Sequence, residues 1–403
     1  MTIRSAWGLL AGGVALAAFG FAPGADGGGS LPVRENIGTV DAGAARPEKA
    51  AAIRSVNLLR RTSRRVAPRT MIRRSTPAAE GLDAEVLAGA FQRAAAIPHM
   101  YSMLVIRNRA IVAEEYFEGR TGTTPEPVAS VGKSILGALV GIAYRDGYLP
   151  DLDQRMIDFF PEYDIDSLDP RKRDITIRHL LKMRAGYPFD SSTEYFNQLS
   201  RSYDWMRFII VSWALETEPG TAWNYSSASS HLLGGILTKA TGLSLRDFAN
   251  QHLFGPMGLE IGYWPRDRQG YCVGHGDVEL SPLQLASFGQ MMLEHGRWRG
   301  RQIVPSWWIK RSFADYSDTW YGNDIWPYRG ISYGYLWWHA DVDDHHVYFA
   351  WGHGGQFITV VPSLDMVVVT TAYNFVGDFT DNSWDTEGAI FRLIATDVLP
   401  AAY

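Results

Sequence analysis

The sequence predicts an α/β fold: a central antiparallel sheet flanked by helices, formed by both chain ends, with an all-helical domain inserted between them. Three observations predict it. Short β-prone runs occur at 101–106 and 110–117, separated by Arg107-Asn108-Arg109, a hairpin pattern. Three more occur near the other end, at 346–351, 356–361 and 366–371, the last two joined by Pro362-Ser363-Leu364-Asp365. Between these groups, residues 149–264 carry helical periodicity and loops rich in Asp, Pro, Tyr and Ser. With 403 residues, 46% of them hydrophobic and 20% charged, the chain has the composition of an ordinary globular protein.

Residues 1–22 have the form of a secretory signal peptide. Arg4 supplies a positive start, residues 6–22 are apolar, and Gly20-Phe21-Ala22 is a small-x-small cleavage site. The expected location is therefore secreted or periplasmic; the alternative is an uncleaved inner-membrane anchor, for which the run is short. The sole cysteine, Cys272, excludes an internal disulfide and a lipobox. Residues 23–80 read as a linker and arm, and residues 54–74 hold eight arginines and no acid. Such a stretch suits anionic lipid, or a solvated arm lying on the acidic remainder of a chain whose net charge is −5. No nucleic-acid-binding motif accompanies it, so no nucleic-acid partner is expected.

The folded body is expected to comprise residues 81–148 and 265–403 around the helical insertion 149–264. Residues 82–95 have helical spacing, and an apolar helix follows at 130–145, ending before Gly147. Inside the insertion, helices are expected at 175–183, 205–215 and 230–240. Ser281-Pro282-Leu283-Gln284 opens another, with Ser at the cap, Pro at the first position and Gln closing a capping box. A last helix is expected at 386–398. There is no internal repeat.

The helix at 130–145 begins Ser130-Val131-Gly132-Lys133. Residues three apart share a helix face, so the Lys133 amine can sit beside the Ser130 hydroxyl. A serine becomes a nucleophile only with a base nearby, and a desolvated lysine can serve. Lys133 is the only one of the six lysines with a serine three residues before it. The plainer alternative is an N-capping Ser130 and an unrelated lysine. Gly132-Lys133-Ser134 also resembles the end of a phosphate-binding loop, but that motif needs glycine at 127, where Pro127 stands.

Two further stretches point to the same chemistry. Pro219-Gly220-Thr221-Ala222-Trp223-Asn224-Tyr225-Ser226-Ser227 precedes an apolar helix, and Trp351-Gly352-His353-Gly354-Gly355-Gln356 leads into a strand. In these stretches the chain resembles the serine β-lactamase-related hydrolase superfamily over roughly residues 80–400, with supporting marks at 175–181 and 333–338. Among its branches it looks like class C β-lactamases, family VIII carboxylesterases and, above all, 6-aminohexanoate-dimer hydrolases. The resemblance implies a β-lactamase/transpeptidase-like fold and assigns roles. Ser130 matches the nucleophile, Lys133 the residue that eases removal of its proton, and Tyr225 the proton relay. A tyrosine with its ordinary pKa of about 10 needs a cation close by to act as a base, which Lys133 would supply. The alternative for Tyr225 is a core aromatic. The backbone N–H groups of Ser130 and Gln356 would form the oxyanion hole, with Ser227, His353, Gly354 and Gly355 lining the substrate site.

Two departures from the family pattern narrow the reading. His353 stands where many relatives carry Lys in Lys-Thr-Gly, and an imidazole holds a carboxylate less firmly than an ammonium does. Ser227 replaces the Asn of Tyr-x-Asn, removing an amide that would grip an acylamino group. Both argue against a dedicated β-lactam site. Asp341, Asp343, Asp344, His345 and His346 read as a polar hairpin tip rather than a metal site, because neighbours on a strand point to opposite faces. His275-Gly276-Asp277 reads as loop lining near the cleft. The expected activity is hydrolysis of a small-molecule amide or ester through an acyl-enzyme, with no metal and no organic cofactor. Linear amides are the first expectation, then esters, then β-lactams; a silent binding module on the same fold is the alternative from another class.

Overall fold

The structure is a computed structural model that describes residues 72–163, 169–189, 198–199, 201–322, 325–374 and 383–403. The expected signal peptide at 1–22 and the arm up to residue 71 lie outside the described residues. Among the described residues no helix is long and apolar enough to cross a membrane.

Among the described residues, one sheet of nine strands organises the body. In chain order these are β1 (Arg73–Arg74), β2 (Met100–Arg107), β3 (Ala110–Tyr116), β4 (Ser317–Gly322), β5 (Arg329–Tyr333), β6 (Trp338–Val342), β7 (His345–Gly352), β8 (Gln356–Val361) and β9 (Met366–Ala372). Their order across the sheet is β1-β3-β2-β9-β8-β7-β6-β5-β4. The two chain ends meet at its centre, where β9 pairs with β2 through Val368 opposite Val105. Every pairing is antiparallel except β1 with β3, which is parallel, so the sheet is mixed at one edge. That edge lies inside the segment read as an arm: Arg73 and Arg74 pair with Ala110 and Ile111, and Arg74 forms an ion pair with Glu114.

Among the described residues there are five longer helices: α1 (Ala84–Ala95), α2 (Val131–Arg145), α3 (Ser227–Thr241), α4 (Pro282–Leu293) and α5 (Ser383–Leu393). Of these α1, α2, α4 and α5 pack on the sheet, and α3 packs on α2. Local chemistry explains where they start. The Asp83 carboxylate accepts the N–H groups of Glu85 and Val86 at the head of α1. Ser281 and Gln284 form the expected capping box of α4. Alternation along β8 places helices on both faces. Gly289 of α4 lies against Ile358 and Val367, whereas Phe391 of α5 meets Phe357 at 4.7 Å on the other side.

Within 149–264 the elements are shorter than their periodicity suggests. The helix expected at 175–183 spans only Ile177–Leu181, after a tight turn over Pro170–Asp174. The one expected at 205–215 is a three-residue turn, Trp205–Arg207, widening through Phe208–Ser212. The helix α3 instead starts three residues earlier than expected, at Ser227.

Candidate active site

Ser130 stands at the N-terminus of α2, but its hydroxyl makes no cap bond to that helix. It accepts a hydrogen bond from Lys133 Nζ at 2.8 Å, so the capping alternative does not describe this serine. The residue before it, Ala129, has φ of 45°, a left-handed conformation costly for a side-chain-bearing residue and common where a functional group is held in place. Lys133 is 1% exposed, and its second bond goes to the carbonyl of His275 at 2.7 Å. The partner loop is brought in by a small antiparallel pair, Glu126–Pro127 with Glu279–Leu280. The Asp277 N–H donates to Ala129 O at 3.2 Å. Gly276 is required there, because a Cβ on it would lie 2.7 Å from Ala129 O.

A buried network holds that loop from behind. Gly274 N–H donates to His231 Nδ1 at 3.2 Å, which places the imidazole proton on Nε2, directed at Asp267 Oδ2 3.3 Å away. The other Asp267 oxygen accepts the N–H groups of Gln269 and Tyr271. His275 is held well below the usual imidazole range by burial, with Lys133 and His231 adding to the effect, and is neutral near pH 7. Burial raises the Asp277 carboxyl, while the charges of Lys133 and His353 oppose that shift; this acid therefore lies within electrostatic reach of both.

Tyr225 enters on the loop before α3. Gly220 N–H donates to Arg184 O and Asn224 N–H to Met183 O, while the Arg184 guanidinium clamps the carbonyls of Gly220, Thr221 and Tyr316. The Tyr225 ring stacks on Trp338 at 5.3 Å, and its centroid is 4.9 Å from Lys133 Nζ. Tyr225, far from Ser130 and Lys133 in the chain, is thus brought beside them.

Gly352 approaches the segment that leads to Ser130 closely: a Cβ on it would be 2.5 Å from Val128 O. The chain turns at Gly354 and Gly355, with φ of 80° and 106°, and Gln356 opens β8 opposite Gly352. The Gln356 side chain is tied to the backbone of Ala372, which fixes the residue whose main chain starts the strand. His353 is partly exposed and pairs with Glu387 at 3.3 Å. Ser227 is buried in the first turn of α3, where its carbonyl accepts the Ser230 hydroxyl.

Sequence reasoning missed Glu387 of α5. One of its oxygens accepts the Gly354 N–H and the other the Trp351 indole N–H, both at 2.7 Å, so this buried carboxylate pins the turn carrying Gly354 and Gly355. Among the described residues there is no cluster of three or more metal-ligating side chains. Asp341 and His346 face each other across the β6–β7 hairpin as an exposed hydrogen-bonded pair.

The model of the Beta-lactamase family matches residues 87–388. A 6-aminohexanoate-dimer hydrolase from Paenarthrobacter ureafaciens is 24% identical over 232 residues, which are 53% of this chain and 57% of that protein. The chain thus matches little more than half the length of this curated relative. Among solved structures, EstCE1, a hydrolase with promiscuous acyltransferase activity, superposes with a TM-score of 0.65 at 16% identity, covering 81% of this chain and 100% of the other. A D-stereospecific amidohydrolase from Streptomyces sp. superposes with a TM-score of 0.58 at 15% identity, covering 76% and 98%. With the family model spanning most of the described body and the sheet-and-helix arrangement shared with these structures, the chain belongs to the Beta-lactamase family and has its β-lactamase/transpeptidase-like fold.

Proposed function

We propose that this protein is a serine hydrolase that cleaves amide or ester bonds through an acyl-enzyme. One observation carries the reading: Lys133 is buried, with Nζ 2.8 Å from Ser130 Oγ and 4.9 Å from the Tyr225 ring centroid. Ser130 Oγ attacks the carbonyl carbon as its proton passes to the Lys133–Tyr225 pair. The carbonyl π electrons move onto oxygen, which the main-chain N–H groups of Ser130 and Gln356 receive; each such donor is worth ~3 kcal/mol in the transition state. Collapse of the tetrahedral adduct breaks the bond to the leaving nitrogen or oxygen, and the pair returns its proton to that atom. Water then attacks the acyl carbon by the same route and frees Ser130.

Linear amides, as in the matched 6-aminohexanoate-dimer hydrolase, are the preferred substrates, ahead of esters and β-lactams. His353 in place of lysine supports that order, because a partly exposed imidazole shared with Glu387 is a weak anchor for a β-lactam carboxylate. Export past the inner membrane belongs to the same proposal, and rests on Arg4 and the apolar stretch after it. Exported chains beginning near Pro23 on N-terminal sequencing support that part; chains retaining Met1 contradict it.

The test is intact-mass analysis with a panel of linear amides, esters and β-lactams, on the wild type and on Ser130→Ala. The expected result is turnover or an acyl adduct in the wild type that is absent from the variant, strongest for the amides. No adduct and no turnover with any of them would make the protein a silent binding module on a hydrolase fold.

A further inference from the structure

A strip of aromatic rings runs from the candidate reaction centre to the protein surface. It starts at Tyr225, whose ring is beside Lys133. Trp338 stacks on Tyr225 at 5.3 Å, and Trp223 meets Trp338 at 5.6 Å, close to edge-on. Trp320 stands perpendicular to Trp223 at 5.9 Å, and the Phe189 ring meets Trp320, tilted, at 4.6 Å. The six-membered set closes with Tyr321, 5.7 Å from Trp338.

Exposure changes along the strip. Trp223 and Trp338 are buried, whereas Trp320 is 55% exposed on the edge strand β4. Leaving a tryptophan in water forgoes a large apolar burial, and large apolar side chains continuous with a site commonly mark where a ligand completes the surface. The six side chains present aromatic faces that carry negative partial charge. An anionic group laid along them would lose hydration without gaining a counter-ion, so the strip suits an apolar occupant rather than a carboxylate.

We propose that this strip binds an apolar segment of the substrate, an alkyl chain of several carbons or an aryl group, adjacent to the bond that Ser130 attacks. The inference rests on the hydrolase reading and names its substrate class. Trp320 is the outer contact and sets preference by chain length; Tyr225 and Trp338 form the inner end, where the apolar segment meets the reacting carbonyl.

The test reads affinity without turnover. Primary amides from acetamide to octanamide are titrated into Ser130→Ala and followed by NMR. Burial of one methylene supports up to about a fourfold gain in affinity, and a half-open strip about twofold. Affinity rising about two- to fourfold per added carbon, and flattening in Ser130→Ala/Trp320→Ala, is the expected result. Trp326→Ala in the same background, an exposed tryptophan outside the strip, should leave the increments intact. Affinity independent of chain length, or increments unchanged by Trp320→Ala, would overturn the proposal. So would concentration-dependent self-association that Trp320→Ala abolishes without any chain-length effect, which would assign Trp320 to protein docking. Failure of the hydrolase reading shows separately, as the absence of any Ser130 adduct in the wild type.

Discussion

Lys133 and Lys172 are both 1% exposed, and both donate hydrogen bonds to main-chain carbonyls. Their surroundings differ in what else the amine touches. Lys172 donates to the carbonyls of Ile209 and Ile210, and the Tyr187 hydroxyl also donates to that of Ile209. All its partners are fixed acceptors, so it can only tie structure together. Lys133 has one carbonyl and one hydroxyl, and that hydroxyl can give up its proton. Burial alone therefore does not distinguish the two lysines; a partner that can change protonation does.

Exchanging each lysine for an apolar residue breaks this contrast most sharply. Lys133→Met is expected to lower kcat/KM by about 10²- to 10⁴-fold with little change in fold, the range of a lost proton-transfer group. Lys172→Met should leave activity per folded molecule near the wild-type level. Activity of Lys133→Met within a few-fold of wild type, on any substrate the wild type turns over, would remove the lysine from the mechanism. Tyr225→Phe keeps the ring stacked on Trp338 and removes only the hydroxyl. Steady-state kinetics should show a loss of about 10²-fold, and an unchanged rate would return Tyr225 to the role of core aromatic.

The effect of Lys172 appears in stability. Burial lowers its pKa from 10.5 to about 8, which is the folded value. Between about pH 8 and 10.5 the unfolded chain binds a proton that the folded chain has lost, so this group makes the protein more stable as pH rises through that window. The stability of the wild type relative to Lys172→Met should climb there by up to about 3 kcal/mol, measured by denaturant unfolding. A difference that is flat or falls with pH would show that the ammonium stays charged when folded.

Smaller effects probe the far wall of the site. Glu387→Gln keeps one acceptor but loses the charge shared by Gly354, Trp351 and His353, and should cost between about 10- and 10²-fold in kcat with little change in KM, because the oxyanion side of the site is displaced. His353→Lys should speed acylation by a carboxylate-bearing β-lactam by about two- to fivefold, the yield of one partly exposed ion pair. No gain would detach His353 from substrate carboxylates.

The same contrast explains what was legible in the sequence. Ser130 and Lys133 lie on one helical turn, so their spacing announces their contact, and the sheet centre was legible because β2, β8 and β9 are runs of aliphatic residues. The strands β4, β5 and β6 were not, because they mix aromatic, charged and polar residues at a sheet edge and lack such runs. The second partner of Lys133 is a backbone carbonyl, to which the side chain of His275 gives no clue. Glu387 and the His231–Asp267 pair act through residues remote in sequence and belong to no local pattern. The short helices of 149–264 follow from tight and wide turns that interrupt an otherwise helical period.

The most direct measurement is the rate at which a fluorophosphonate labels the protein, with the modified residue mapped by mass spectrometry, in the wild type, Lys133→Met and Lys172→Met. A Ser130–Lys133 couple predicts one adduct, on Ser130, forming about 10²- to 10⁴-fold more slowly in Lys133→Met and at the wild-type rate in Lys172→Met. Labelling at another residue, or equal rates in the wild type and Lys133→Met, would contradict it.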